Sequence, residues 1–118
     1  MDKRVMRIST HILDLVLGTP ASGVVVRLEI QDASGEWRGL GAANTNQDGR
    51  CAQLLPEDTA PHPGIYRLVF DTGQYYAAQQ IAPLHPYVEV TFQVRSGESH
   101  FHIPLLLSPN GYTTYRGS

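Results

Sequence analysis

The side chains of this sequence best suited to proton chemistry are its five histidines, His11, His62, His85, His100 and His102. Imidazole titrates near neutrality without help, so it serves as a base, an acid or a metal ligand. Two of the five stand one residue apart, in His100-Phe101-His102, just ahead of the apolar run Ile103-Pro104-Leu105-Leu106-Leu107. On a strand, residues two apart share a face at about 6.6 Å, so this pair could give a zinc ion two ligands. No nearby Asp, Glu or Cys is identified as a third ligand, and the pair reads better without a metal. No serine lies in a nucleophile elbow, and Ser118 is terminal, which leaves a Ser-His-Asp triad unsupported. The glycine-rich turns lack the strand–helix context of a phosphate loop. Arg50 follows Asp48-Gly49 at the exit of a tight turn, and His11 stands early in a strand. Spacing alone reads both as ordinary strand-end or surface residues.

The element that must position the histidine pair is a hairpin. Ser108-Pro109-Asn110-Gly111 carries the residue types of a turn, with Pro and Asn central and Gly at the exit. With Pro109-Asn110 as the loop, Ser108 faces Gly111 and His102 lies opposite Gly117, beside Arg116 and Ser118. With Asn110-Gly111 as the loop, Ser118 faces Ile103 instead. Either register ends the chain next to His102. His100, His102, Pro104 and Leu106 then look outward, while Phe101, Ile103, Leu105 and Leu107 look into a core.

Earlier in the chain, residues 7–17 read as a first strand whose alternation does not say which face is buried. Val24 to Gln31 is a cleaner strand with Val24, Val26, Leu28 and Ile30 on one face. Turns at 32–35 and 47–49 frame weaker strands over 37–45 and 50–55. A proline-containing loop spans 56–64, and the strand over 65–72 has Tyr66, Leu68 and Phe70 on one side. The stretch 74–81 is the only plausible helix. In the strand over 87–95, Val88, Val90, Phe92 and Val94 point inward. Short strands with frequent turns and one short helix argue an all-β sandwich.

A chain of 118 residues is expected to form one domain, spanning 1–118, with enough buried surface to need no disulfide. The formal charge of −2 contains no long run of one sign, so nucleic acid is not an expected partner. No 18-residue apolar run is present, so a membrane span is not expected. The single cysteine, Cys51, excludes an intrachain disulfide and suits a reducing compartment. With no signal-peptide pattern at the start, a cytoplasmic protein is expected.

Several segments carry a more specific message. They are Ser9-Thr10-His11-Ile12-Leu13-Asp14 with Gly18-Thr19-Pro20-Ala21, then Asp48-Gly49-Arg50, Pro63-Gly64-Ile65-Tyr66, Phe70-Asp71-Thr72-Gly73-Gln74-Tyr75 and Pro86-Tyr87-Val88-Glu89-Val90. The last is Phe101-His102-Ile103-Pro104-Leu105-Leu106-Leu107-Ser108-Pro109, with the terminal Tyr115-Arg116-Gly117-Ser118. In these the chain resembles the transthyretin-related 5-hydroxyisourate hydrolases over almost its whole length. Transthyretin carriers share the scaffold but lack the terminal signature and its histidines. The resemblance implies a transthyretin-like eight-stranded β-sandwich with one short helix, assembled as a homotetramer. It implies hydrolysis of 5-hydroxyisourate in urate degradation, without metal or other cofactor. It also carries site roles onto His11, Arg50 and His102 as catalytic residues and onto Tyr115 and Ser118 as substrate-binding ones. His100 lies outside the shared pattern and is expected to be a bystander. Two rival readings are a non-catalytic carrier of aromatic ligands and an adhesive sandwich domain. Neither accounts for the histidines, Arg50 and the terminal tetrapeptide together.

Overall fold

Alternation of apolar and polar residues builds two sheets that close on each other. A computed structural model describes residues 4–118. In chain order the elements are β1 (Arg7–Asp14), β2 (Thr19–Pro20), β3 (Val25–Gln31), β4 (Trp37–Asn44), β5 (Arg50–Cys51), β6 (Gly64–Phe70), α1 (Thr72–Ala77), β7 (Val88–Val94), β8 (His100–Ser108) and β9 (Gly111–Thr114). One sheet runs β2-β1-β8-β9, with β5 also paired to β1, and the other runs β4-β3-β6-β7. Ile8, Ile12, Phe101, Leu105 and Leu107 of the first meet Val26, Leu28, Tyr66, Leu68 and Phe70 of the second in the core. The all-β sandwich with one short helix is as expected. Its strand count is nine among the described residues, because Thr19–Pro20, expected as loop, pairs with Leu13 and Asp14.

The first strand settles the face that alternation left open. Ile8, Thr10, Ile12 and Asp14 are buried, and Ser9, His11 and Leu13 look outward. Two polar side chains on the inner face hide this from a hydrophobicity count. Both are satisfied there. Thr10 donates to the Ile103 carbonyl, and Asp14 accepts from the Tyr75 hydroxyl at 2.7 Å. Burial, with that bond second, pushes the Tyr75 phenol up to about 12, so it remains a donor at neutral pH. The other Asp14 oxygen accepts from the backbone N–H groups of Val16 and Leu17, each at 3.0 Å. An aspartate binding the next backbone groups turns the chain, so the strand stops at Asp14 instead of reaching 17.

Two other boundaries differ for local reasons. The helix starts at Thr72, earlier than the expected 74, because the Asp71 carboxylate caps it by accepting from the Gln74 N–H. It ends at Ala77, and Gln80 at φ 59° reverses the chain in the left-handed conformation that closes helices. The strand expected over 50–55 shrinks to Arg50–Cys51. Beyond it the Gln53 side chain takes over the ladder, accepting from Ile8 N–H at 3.1 Å and donating to Met6 carbonyl at 2.8 Å.

The turn before Arg50 depends on Gly49. Asn46 Oδ1 accepts from the N–H groups of Asp48 and Arg50, and Gly49 sits at φ +74° with its carbonyl bound by Ile12 N–H at 2.8 Å. A Cβ at Gly49 would lie 2.4 Å from the Ile12 carbonyl oxygen. Gly49→Ala is therefore expected to cost at least about 1–3 kcal/mol in backbone strain. It should also displace Arg50. Thermal unfolding and turnover measured on one preparation check this; an unchanged melting temperature would contradict it.

Candidate active site

Register places the site. β1 and β8 run parallel, setting Arg7 beside His100, Ser9 beside His102 and His11 beside Pro104. On its other edge β1 pairs antiparallel with β5, setting His11 beside Arg50 and Thr10 beside Cys51. Thr10 and Cys51 are buried, so His11 and Arg50 share the opposite, outward face with Ser9 and His102.

The hairpin closes the site from the far side. Ser108 pairs with Gly111, and the same register continues to an isolated bridge between His102 and Gly117, so Pro109-Asn110 is the loop. Gly117 N–H donates to the His102 carbonyl at 2.8 Å. Phe101, Ile103, Leu105 and Leu107 face the core as expected. Pro104, expected to be exposed beside His102, is buried because the returning tail covers it. Arg116 holds that tail in place: it ion-pairs with Glu98 at 2.9 Å, donates to the His100 carbonyl at 3.1 Å and sits 4.3 Å from the Phe101 ring centroid. An exposed pair of this kind adds little stability, but it fixes where the last two residues lie.

A cleft of about 320 Å³ results, lined by Arg7, Ser9, Arg50, His100, His102 and Ser118 among others. Arg50, His102 and Ser118 are thus gathered in one cleft, while His11 shares their outward face beside Arg50 but does not line that cleft. Tyr115 is not brought to this cleft; it lines a separate depression with Val90, Phe92 and Arg116. His100, expected to be a bystander, forms part of the cleft wall. Arg7 and Ser9 were not singled out from sequence. Ser9 could have been, since it lies two residues from His11 and must share its face.

The electrostatics favour a neutral base next to a free cation. His102 is half-buried, and its pKa is lowered from the usual histidine value of 6.5. Burial is the main cause, followed by the positive charges of Arg50, His11 and His100. Its lone pair is therefore available at neutral pH. The Arg50 guanidinium forms no hydrogen bond or ion pair among the described residues, so its planar fork is free for a ligand. Among the same residues, no three His, Cys, Asp or Glu side chains gather as a metal-binding group.

Gly117 belongs to this geometry. A Cβ there would lie 2.6 Å from His102 Cδ2 and 3.1 Å from Pro104 Cγ. Gly117→Ala should push the imidazole or the tail aside, lowering turnover by about 10²-fold, the scale of a small misplacement of catalytic groups. Steady-state kinetics test this, and wild-type turnover would count against a tightly packed tail.

The family model for the HIUase/Transthyretin family matches residues 8–117. The chain belongs to this family. It is 46% identical over 111 residues to the 5-hydroxyisourate hydrolase of Salmonella typhimurium, covering 94% of this chain and 80% of that one. It is 45% identical over 112 residues to the mouse 5-hydroxyisourate hydrolase, covering 94% of each. Among solved structures, transthyretin from Sparus aurata superposes with a TM-score of 0.87 at 35% identity, covering 95% of this chain and 97% of that one. The 5-hydroxyisourate hydrolase of Klebsiella pneumoniae does so with a TM-score of 0.82 at 35% identity, covering 95% and 99%. The backbone is thus shared by both branches of the HIUase/Transthyretin family. What separates a carrier from an enzyme must be the side chains of the site.

Proposed function

We propose that this protein is a 5-hydroxyisourate hydrolase, converting 5-hydroxyisourate to 2-oxo-4-hydroxy-4-carboxy-5-ureidoimidazoline in urate degradation. The observation that carries the reading is the meeting of a neutral His102 and an Arg50 unpaired among the described residues, beside the chain end. The 45–46% identity to hydrolases of that name supports the substrate. The reaction adds water to a ring carbonyl and breaks its C–N bond. It needs a base for the water, a cation for the developing oxyanion and a proton for the departing nitrogen. His102 takes the water proton, Arg50 faces the oxyanion, and His11 delivers the second proton. Ser118, by hydroxyl or terminal carboxylate, holds the substrate's polar edge. Tyr115 belongs to the reading only if its side chain swings toward the cleft or reaches a site on a second subunit.

The proposal takes residues 1–118 as a single cytoplasmic domain that works as a homotetramer without a cofactor. Leu15, Val16 and Leu17, exposed at 56%, 63% and 58%, and the outer edges of β7 and β9 offer surfaces for subunit contacts. Light scattering should return four times the 13.0 kDa chain mass. The deciding assay follows 5-hydroxyisourate, made in situ by urate oxidase, with and without the protein. Its decay should accelerate while urate consumption stays the same. Likeness to a sea bream transthyretin solved in complex with thyroxine favours a carrier as the second reading, and tight thyroxine binding without hydrolysis would establish it.

A further inference from the structure

His102 has two ring nitrogens, and the environment of one of them is defined. Ser9 Oγ lies 2.8 Å from His102 Nδ1. The same oxygen lies 3.5 Å from the Phe101 carbonyl oxygen, as its donor. Nε2 has no protein partner among the described residues. A hydroxyl carries one proton, so two arrangements are open. If Ser9 donates to Nδ1, the ring proton sits on Nε2 and the free nitrogen is a donor. If Nδ1–H donates to Ser9, the hydroxyl proton turns to the Phe101 carbonyl and Nε2 keeps its lone pair.

We infer that Ser9 is a positioning residue that holds His102 as the Nδ1–H tautomer, leaving Nε2 as the basic nitrogen at the cleft. Imidazolium has only donors, so in that state Nδ1–H must point at Ser9 Oγ. With the same arrangement already present in the neutral ring, proton transfer requires no rotation of the hydroxyl, and the Phe101 carbonyl accepts its proton throughout. The opposite arrangement would put a donor where the water proton has to arrive. Ser9 and His102 are 93 residues apart in sequence and meet only because β1 and β8 are parallel in this register. The Gly117 backbone lies along the opposite, Cδ2 edge of the ring, where an added Cβ would come within 2.6 Å.

This inference builds on the hydrolase reading, and its test separates the two. Side-chain nitrogen NMR reads the tautomer with no substrate present; the His102 signals are identified by their loss in His102→Asn. The wild type should show Nδ1–H above the ring's pKa. Ser9→Ala should revert to Nε2–H, the form imidazole prefers in water, and Ser9→Thr should restore Nδ1–H. In kinetics, Ser9→Ala should lose ~10–100-fold in kcat, part of a general base's worth, with little change in KM, and Ser9→Thr should recover most of it.

The acid limb of the pH profile should move to lower pH in Ser9→Ala, because the imidazolium loses an acceptor. The other charged groups facing His102 are Arg7 and His11 from β1, Arg50 from β5, His100 from β8 and the Ser118 carboxylate. All are the same in both proteins, so the movement reports Ser9. A wild-type ring protonated on Nε2 overturns the inference. So does a Ser9→Ala protein that is slower but has an unchanged tautomer and acid limb, since that is a packing effect. An Nδ1–H ring in a protein that does not turn over 5-hydroxyisourate overturns the hydrolase reading and leaves the tautomer assignment standing.

Discussion

Replacing His102 with alanine is expected to lower turnover of 5-hydroxyisourate by ~10²–10⁴-fold, the usual contribution of a general base, while the protein stays folded. The stability side of this expectation follows from position. The imidazole is half-buried on the outer face of its sheet and is not among the core residues. Its removal deletes the bond to Ser9 but opens no cavity in the core. Stopped-flow decay of freshly made substrate gives the rate, and circular dichroism gives the melting temperature. Near-wild-type turnover would end the base assignment. His62→Ala is a suitable control, because among the described residues His62 bonds through its carbonyl, which accepts from the Tyr66 hydroxyl.

The same histidine sets the pH behaviour. Burial, then the charges of Arg50, His11 and His100, hold its pKa below 6.5. The base therefore stays unprotonated further into acid than a free histidine would, and the acid limb of activity should fall below pH 6.5. Stability follows the same sign. The unfolded chain takes up this proton more readily than the folded one, so the contribution is fully present above the unfolded value. It is lost as pH falls from there toward the folded value. An acid limb above pH 6.5 would contradict the assignment.

Arg50→Ala is the second large effect, at about 10²–10³-fold in kcat, the size seen when an oxyanion partner is removed. The side chain is exposed and unpaired among the described residues, so the melting temperature should hardly move. Arg50→Lys should recover only part of the activity, because an ammonium is a point charge and cannot offer the guanidinium fork. Comparison with Gly49→Ala is informative, since that neighbour should lose stability and activity together. An Arg50→Ala protein with full activity would remove the cation from the mechanism, and one that unfolds would recast it as structural.

Much of this was legible in residue types and their order. Strand faces such as Val26, Leu28 and Ile30 follow from period two because one side of each strand is wet. Polar residues on the inner face of β1 blurred the same signal, and only the partners of Thr10 and Asp14 explain their burial. The helix shifted because a single cap, Asp71, outweighed the apolar pattern after it. Gln53 replaced a strand because its side-chain amide satisfied the backbone groups a strand would have paired.

The site divides along the same line. By itself, the sequence determined a terminal hairpin that ends the chain next to His102, since turn residues and period-two pairing are short-range constraints; the structure chose Pro109-Asn110 as the loop and so set Gly117 opposite His102. Family resemblance pointed to His11 and Arg50, which no local pattern could promote. Tertiary structure alone decided that β1 lies parallel to β8, that Ser9 therefore touches the His102 ring, that His100 belongs to the cleft wall and that Tyr115 does not. Those outcomes depend on which strands pair across the sheet and which edge the tail covers. Contacts between residues some 90 positions apart arise from packing two sheets around one core, and no local spacing encodes them.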